Sequence, residues 1–126
     1  MSKKTCLVVD DSPLVRQLLK FAIEGQGLAV DEAEDGILAF AKCVVSMPDV
    51  IFIDWNMPRM DGMELLRKIR AYDGGDKPTI IFCTVEDKQS CINMAKNNGA
   101  DEYIVKPFDR QMIATTLRQL GVISTQ

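Results

Sequence analysis

The sequence predicts an α/β fold: one open, doubly wound, five-stranded parallel sheet with five helices covering its two faces. Five short apolar runs, rich in β-branched residues, recur at residues 5–9, 28–30, 50–53, 79–83 and 103–105. The stretches between them carry the three-to-four-residue apolar spacing of helices. Strands joined by crossover helices must pair in parallel, and right-handed crossovers lay helices on both sides of a single sheet.

Each element has a local reason. Leu7-Val8-Val9 and Val50-Ile51-Phe52-Ile53 are continuously apolar, as central strands covered on both faces should be. After the first strand, Ser12 is placed to cap a helix with Pro13 at its first position and Val15, Leu18, Leu19, Ala22 and Ile23 on one face. Asp61 and Glu64 form a capping box ahead of Leu65, Leu66 and Ile69. Gly99 closes a helix running from about residue 87 to 97. Asp109 caps the last helix, whose Met112, Ile113, Thr116, Leu117 and Leu120 predict a buried stripe ending before Gly121. Met57, Met60 and Met63, near a helix start, are expected to fill core gaps.

Composition bounds the chemistry. At 126 residues and 47% hydrophobic, the chain is sized for a single domain over residues 1–126, with its core at about 4–121 and no room for a second. Its 15 basic and 18 acidic residues provide no basic face for phosphate backbones, so nucleic acid is not an expected partner. The apolar run that ends at Asp10 is too short for a signal peptide or a membrane span, which predicts a cytoplasmic protein without a membrane partner. Cys6, Cys43, Cys83 and Cys91 are dispersed and read as reduced core residues. The absence of histidine removes Ser-His and Cys-His chemistry and the commonest transition-metal ligand. Carboxylates, lysine and hydroxyls remain.

In doubly wound sheets, functional groups gather beyond the carboxyl ends of the central strands. Asp10 and Asp11 follow the first strand and Asp54 follows the third. Any one acid after a strand is ordinarily a loop or cap residue. Three at two central strand ends would repel one another unless they surround a divalent cation, and a few hard oxygen ligands suit Mg²⁺. Thr84 follows the fourth run and offers a hydroxyl donor; Lys106 follows the fifth and offers a positive charge. All five fall at one edge of the inferred sheet.

Asp10-Asp11, Asp54, Thr84 and Lys106-Pro107-Phe108, with the segment from Asn56 to Gly62 after Asp54, closely resemble the bacterial response-regulator receiver pattern across about residues 4–121. The resemblance implies a flavodoxin-like, CheY-like fold with strand order 2-1-3-4-5. It implies that Asp54 is the phosphoacceptor, serving a sensor histidine kinase or a histidine phosphotransfer protein. Asp11, Asp54 and the backbone carbonyl of Asn56 would hold Mg²⁺, with Asp10 acting largely through metal-bound water. Lys106 and Thr84 would bind the transferring group, and Thr84 with Tyr103 would form the conformational switch. Such a protein catalyses only its own phosphorylation and dephosphorylation, and so is not an enzyme in the ordinary sense. The Lys106–Pro107 bond is often cis in the family.

Trp55, Asn56 and Glu86 resemble the single-domain chemotaxis class, in which Asn56 and Glu86 would tune autodephosphorylation. Output would then pass through the fourth helix, fifth strand and fifth helix, including Lys88, Lys96, Tyr103, Arg110 and Arg118, to a protein such as a flagellar motor switch component. The unphosphorylated protein is expected to be monomeric. Val85 departs from the smaller residue usual after the threonine, and a stiff branched side chain there bears on the inward path of Tyr103 and so on the switch geometry. Phosphorelay intermediates and phosphate sinks share every one of these site residues. A Mg²⁺-dependent small-molecule phosphohydrolase or an unphosphorylated scaffold are the alternatives from other classes.

Overall fold

The computed structural model describes residues 3–124. Five strands alternate with five helices: β1 Thr5–Val9, α1 Pro13–Glu24, β2 Ala29–Ala33, α2 Gly36–Val45, β3 Val50–Ile53, α3 Gly62–Ala71, β4 Thr79–Thr84, α4 Gln89–Asn97, β5 Glu102–Val105 and α5 Arg110–Gln119. All neighbouring strands pair in parallel, in the order β2-β1-β3-β4-β5. The expected fold and strand order are both present.

The two-residue period of the strands divides the core. Leu7, Val9, Ile51, Ile53, Ile80 and Phe82 pack on one face against α2, α3 and α4. Cys6, Val8, Val50, Phe52, Ile81 and Cys83 pack on the other against α1 and α5. Met60 and Met63 are buried in the first cluster and Met57 packs against it, as gap-filling residues should. All four cysteines are free; Cys6, Cys43 and Cys83 are buried, and Cys91 is partly exposed. Burial pushes the Cys43 thiol up to about 11 and the Cys83 thiol up to about 12.

Caps set the helix starts. Ser12, Asp61 and Asp109 each accept a hydrogen bond from the backbone N–H three residues on, at 3.3, 2.9 and 2.8 Å. Gly99 has φ of +112°, the left-handed conformation that ends a helix. Three expectations are corrected. β2 runs past residue 30 to Ala33, because an edge strand tolerates Asp31 and Glu32 when Lys42 and Arg16 pair with them at 3.1 and 3.0 Å. α4 begins at Gln89, later than residue 87, behind a Lys88 whose side chain makes no cap bond. Leu18 and Met112 are exposed rather than buried, Met112 at 40%. Each lies roughly 100° behind a buried neighbour, Leu19 or Ile113, on a helix that meets the sheet along a narrower stripe.

Candidate functional site

Strand order brings the polar residues together. Val9 of β1 lies beside Ile53 of β3, so Asp10 and Asp54 emerge side by side. The Asp54 N–H donates to the Val9 carbonyl at 3.0 Å, and the Asp10 N–H to the Ala33 carbonyl at 3.1 Å. Thr84 ends β4 opposite Val105 of β5, and the Lys106 N–H donates to the Thr84 carbonyl at 2.8 Å. Carboxylate oxygens of Asp10, Asp11 and Asp54 lie within 4.8 Å of one another. Asp10 is 1% exposed and Asp54 7%, while Asp11 faces solvent.

Lys106 reaches into this cluster from the end of the edge strand β5. Its Nζ donates to Asp10 Oδ2 at 2.8 Å and stands 3.7 Å from Asp54 Oδ2. Asp10 Oδ1 also accepts from the Ser12 N–H at 2.9 Å. Asp54 is less well served. Burial, and then the charge of Asp10, push its pKa above the usual carboxylate range; Lys106 and the nearby Thr84 hydroxyl oppose this, and Asp11 adds to it. For Lys106, burial favours the neutral amine, but Asp10 and Asp54 outweigh it and hold the pKa above the ordinary lysine value.

Thr84 is fully buried, and its Oγ1 makes no well-formed hydrogen bond among the described residues, although it lies near the Asp54 carboxylate. Such orphans are rare and call for a reason. Tyr103 stacks on Phe82 with centroids 6.0 Å apart, and its hydroxyl donates to the Glu86 carbonyl at 2.8 Å. Burial raises its pKa to about 12. Val85 is 63% exposed and lies outside the cluster that Tyr103 joins. Asn56 is exposed in the β3–α3 loop, and Glu86 is half-buried after β4. The Lys106–Pro107 bond is cis. Arg110 packs over the Phe21 ring of α1 at 4.9 Å, which engages it on the α1 side of α5.

The chain matches the response regulator receiver domain family over residues 6–118. It is a receiver domain of that family. The receiver is 38% identical over 114 residues to the transcriptional regulatory protein TrcR of Mycobacterium tuberculosis, covering 90% of this chain and 44% of TrcR. It is 35% identical over 114 residues to response regulator MprA of Mycobacterium sp. strain KMS, covering 90% and 49% respectively. The receiver thus spans about half the length of these curated relatives. Its fold superposes on the chemotaxis response regulator CheY4 of Vibrio cholerae with a TM-score of 0.89 and 32% identity, covering 94% of this chain and 99% of that one.

Receiver domains work in two-component systems with histidine kinases or phosphotransfer proteins, and typically use Mg²⁺ at an acidic pocket. The donor set here fits that ion: three clustered carboxylates face one ammonium, leaving excess negative charge on hard oxygens. No helix among the described residues is long and apolar enough to cross a membrane.

Asp35 and Arg59 form a pair that no local sequence pattern announces. Asp35 is 3% exposed and caps α2, accepting from the Leu38 N–H at 2.8 Å. It also binds Arg59 of the β3–α3 loop, through Nε at 3.1 Å and through Nη2. The Asp35-Gly36 step before Ile37-Leu38 was the available signal for the cap; nothing local pointed to Arg59.

Proposed function

We propose that this receiver takes a phosphoryl group onto Asp54 from a sensor histidine kinase or a histidine phosphotransfer protein, in a Mg²⁺-dependent reaction. The observation that carries it is a buried, incompletely compensated carboxylate with an ammonium 3.7 Å away and an unpaired buried hydroxyl on the neighbouring strand. Bound Mg²⁺, held by Asp10, Asp11, Asp54 and the backbone carbonyl of Asn56, would supply charge neutralisation at the phosphoryl oxygens. An Asp54 carboxylate oxygen attacks phosphorus in line. The P–O bond forms as the donor's P–N bond breaks, and the electron pair leaves on the imidazole nitrogen. Lys106 turns part of its charge from Asp10 toward the equatorial oxygens. Thr84 donates its free hydroxyl to one of them, gaining the partner it lacks.

That new bond is the proposed trigger. Drawing Thr84 toward the phosphoryl group changes the packing around Phe82, on which Tyr103 stacks, and Tyr103 reports it to the surface. The α4–β5–α5 face is the proposed output surface. Tyr103 and Met112 border a groove of about 530 Å³ there, and Lys96 pairs with Glu102 on the same face at 3.3 Å. Water attacking phosphorus would return Asp54 and release phosphate, at a rate set by Asn56 and Glu86. The likeness to CheY4 supports a chemotaxis output, such as a flagellar motor switch protein, for a monomeric cytoplasmic receiver. A second reading rests on TrcR, named a transcriptional regulatory protein: the same receiver would then govern a transcriptional output.

Trp55 is the single tryptophan, adjoins Asp54, and meets Phe82 edge-on at 5.8 Å. Its fluorescence should change with Mg²⁺, and change again, then decay, with acetyl phosphate. The second change and the phosphoryl adduct in intact mass should be absent in Asp54→Ala. No adduct on the unaltered protein would sink the phosphoacceptor reading.

A further inference from the structure

We infer that Asp35 and Arg59 form a positioning pair that holds the β3–α3 loop in register with the acidic cluster. The inference rests on the Asp54 reading and extends it to residues outside the cluster. The loop from Trp55 to Asp61 carries Asn56 and is tied internally by only two backbone bonds, Met60 N–H to the Pro58 carbonyl at 2.7 Å and Gly62 N–H to the Trp55 carbonyl at 2.8 Å.

Both flanks of the loop are in close backbone contact with the rest of the receiver. A Cβ at Gly62 would lie 2.4 Å from the Asp54 carbonyl oxygen, so the start of α3 sits directly against the acceptor's backbone. A Cβ at Gly36 would lie 2.8 Å from the Met60 carbonyl oxygen, so the start of α2 sits directly against the loop. Arg59 lies between these contacts with φ of +67°, a conformation that residues bearing a Cβ rarely adopt. Its guanidinium donates from both Nε and Nη2 to the single Oδ2 of Asp35 from a largely exposed position, while Asp35 is buried and its Oδ1 accepts the cap bond.

The pair therefore does two things at once. Arg59 supplies the counter-charge that a buried carboxylate requires. Asp35 in turn anchors a backbone conformation that the loop would otherwise leave, and local strain persists only where surrounding structure over-determines it. Because Arg59 is three residues from Asn56, the position of the loop beside the cluster depends on a charge contact made on α2.

The test separates positioning from simple charge. Asn at position 35 keeps the cap acceptor, and Asn at position 59 tolerates the left-handed backbone. Mg²⁺ would be titrated against Trp55 fluorescence in the unaltered protein, Asp35→Asn, Arg59→Asn and the double variant, all below their melting temperatures. Amide exchange at Met60 and Gly62 would be followed in parallel. Positioning predicts that each single variant binds Mg²⁺ roughly tenfold more weakly, that the double variant is no worse than either, and that both amides exchange faster. Charge alone predicts opposite signs, because Asp35→Asn removes a negative charge and Arg59→Asn a positive one. Unchanged or tighter Mg²⁺ binding in Arg59→Asn overturns the inference. If the unaltered protein shows no Mg²⁺ response, the Asp54 reading fails first and the positioning role falls with it.

Discussion

Leu7, Val8 and Val9 of β1 and Ile51, Phe52 and Ile53 of β3 are at most 1% exposed, paired along the ladder and packed on both faces. One residue further on, Asp10 and Asp54 are nearly as buried but carry charge, and they are not treated alike. Asp10 has Lys106 at 2.8 Å and the Ser12 N–H at 2.9 Å; Asp54 has the ammonium at the longer distance of 3.7 Å, with the Thr84 hydroxyl nearby. The strand interior is a region where every group is satisfied and apolar burial dominates. Its carboxyl edge holds unmet electrostatic demand at Asp54 and Thr84, which is what a site for an incoming anion and cation requires.

The interior should respond most strongly to substitution. Phe52→Ala should lower stability by about 3–5 kcal/mol in urea unfolding, since a fully buried ring leaves a cavity. A loss below about 1 kcal/mol would mean the interior is not close-packed. Next is the paired side of the edge. Lys106→Met leaves Asp10 buried without its cation, and should cost about 2–3 kcal/mol. Adding Asp10→Asn to Lys106→Met should recover part of that loss; no recovery would show that Lys106 acts through packing and not charge.

Asp54 should respond in the opposite direction. Its folded pKa lies above its unfolded one, so ionisation in the folded state takes stability away as pH rises through the folded value. In Mg²⁺-free buffer at pH 7, Asp54→Asn should therefore raise Tm. The gain should vanish at pH 3, where both states are protonated, and should shrink at saturating Mg²⁺, which stabilises the unaltered protein by mass action. A lower Tm for Asp54→Asn at neutral pH would contradict the uncompensated carboxylate.

The smallest effect belongs to Asp35. The Leu38 N–H and Arg59 hold its carboxyl below the usual range, so its contribution is full above the unfolded carboxyl value and is lost as pH falls through the folded one. Asp35→Ala should cost about 1 kcal/mol at pH 7. That difference should narrow when unfolding is followed from pH 5 down to pH 2, and a constant difference would remove the ionic part of the contact.

Features that depend on near neighbours are written in the residue order: the apolar runs, the caps at Ser12, Asp61 and Asp109, and the acids, hydroxyl and lysine that end the strands. These were legible because strand and helix periods act over a few residues and because a parallel sheet aligns its carboxyl ends. Tertiary structure alone decided how those groups pair. It set Lys106 closer to Asp10, 96 positions away, than to Asp54, left Thr84 without a partner, and turned Met112 and Leu18 outward. It also joined Asp35 to Arg59 across 24 positions. Charge pairing and burial depend on distances between groups far apart in the chain, and those distances exist only once the helices have packed on the sheet.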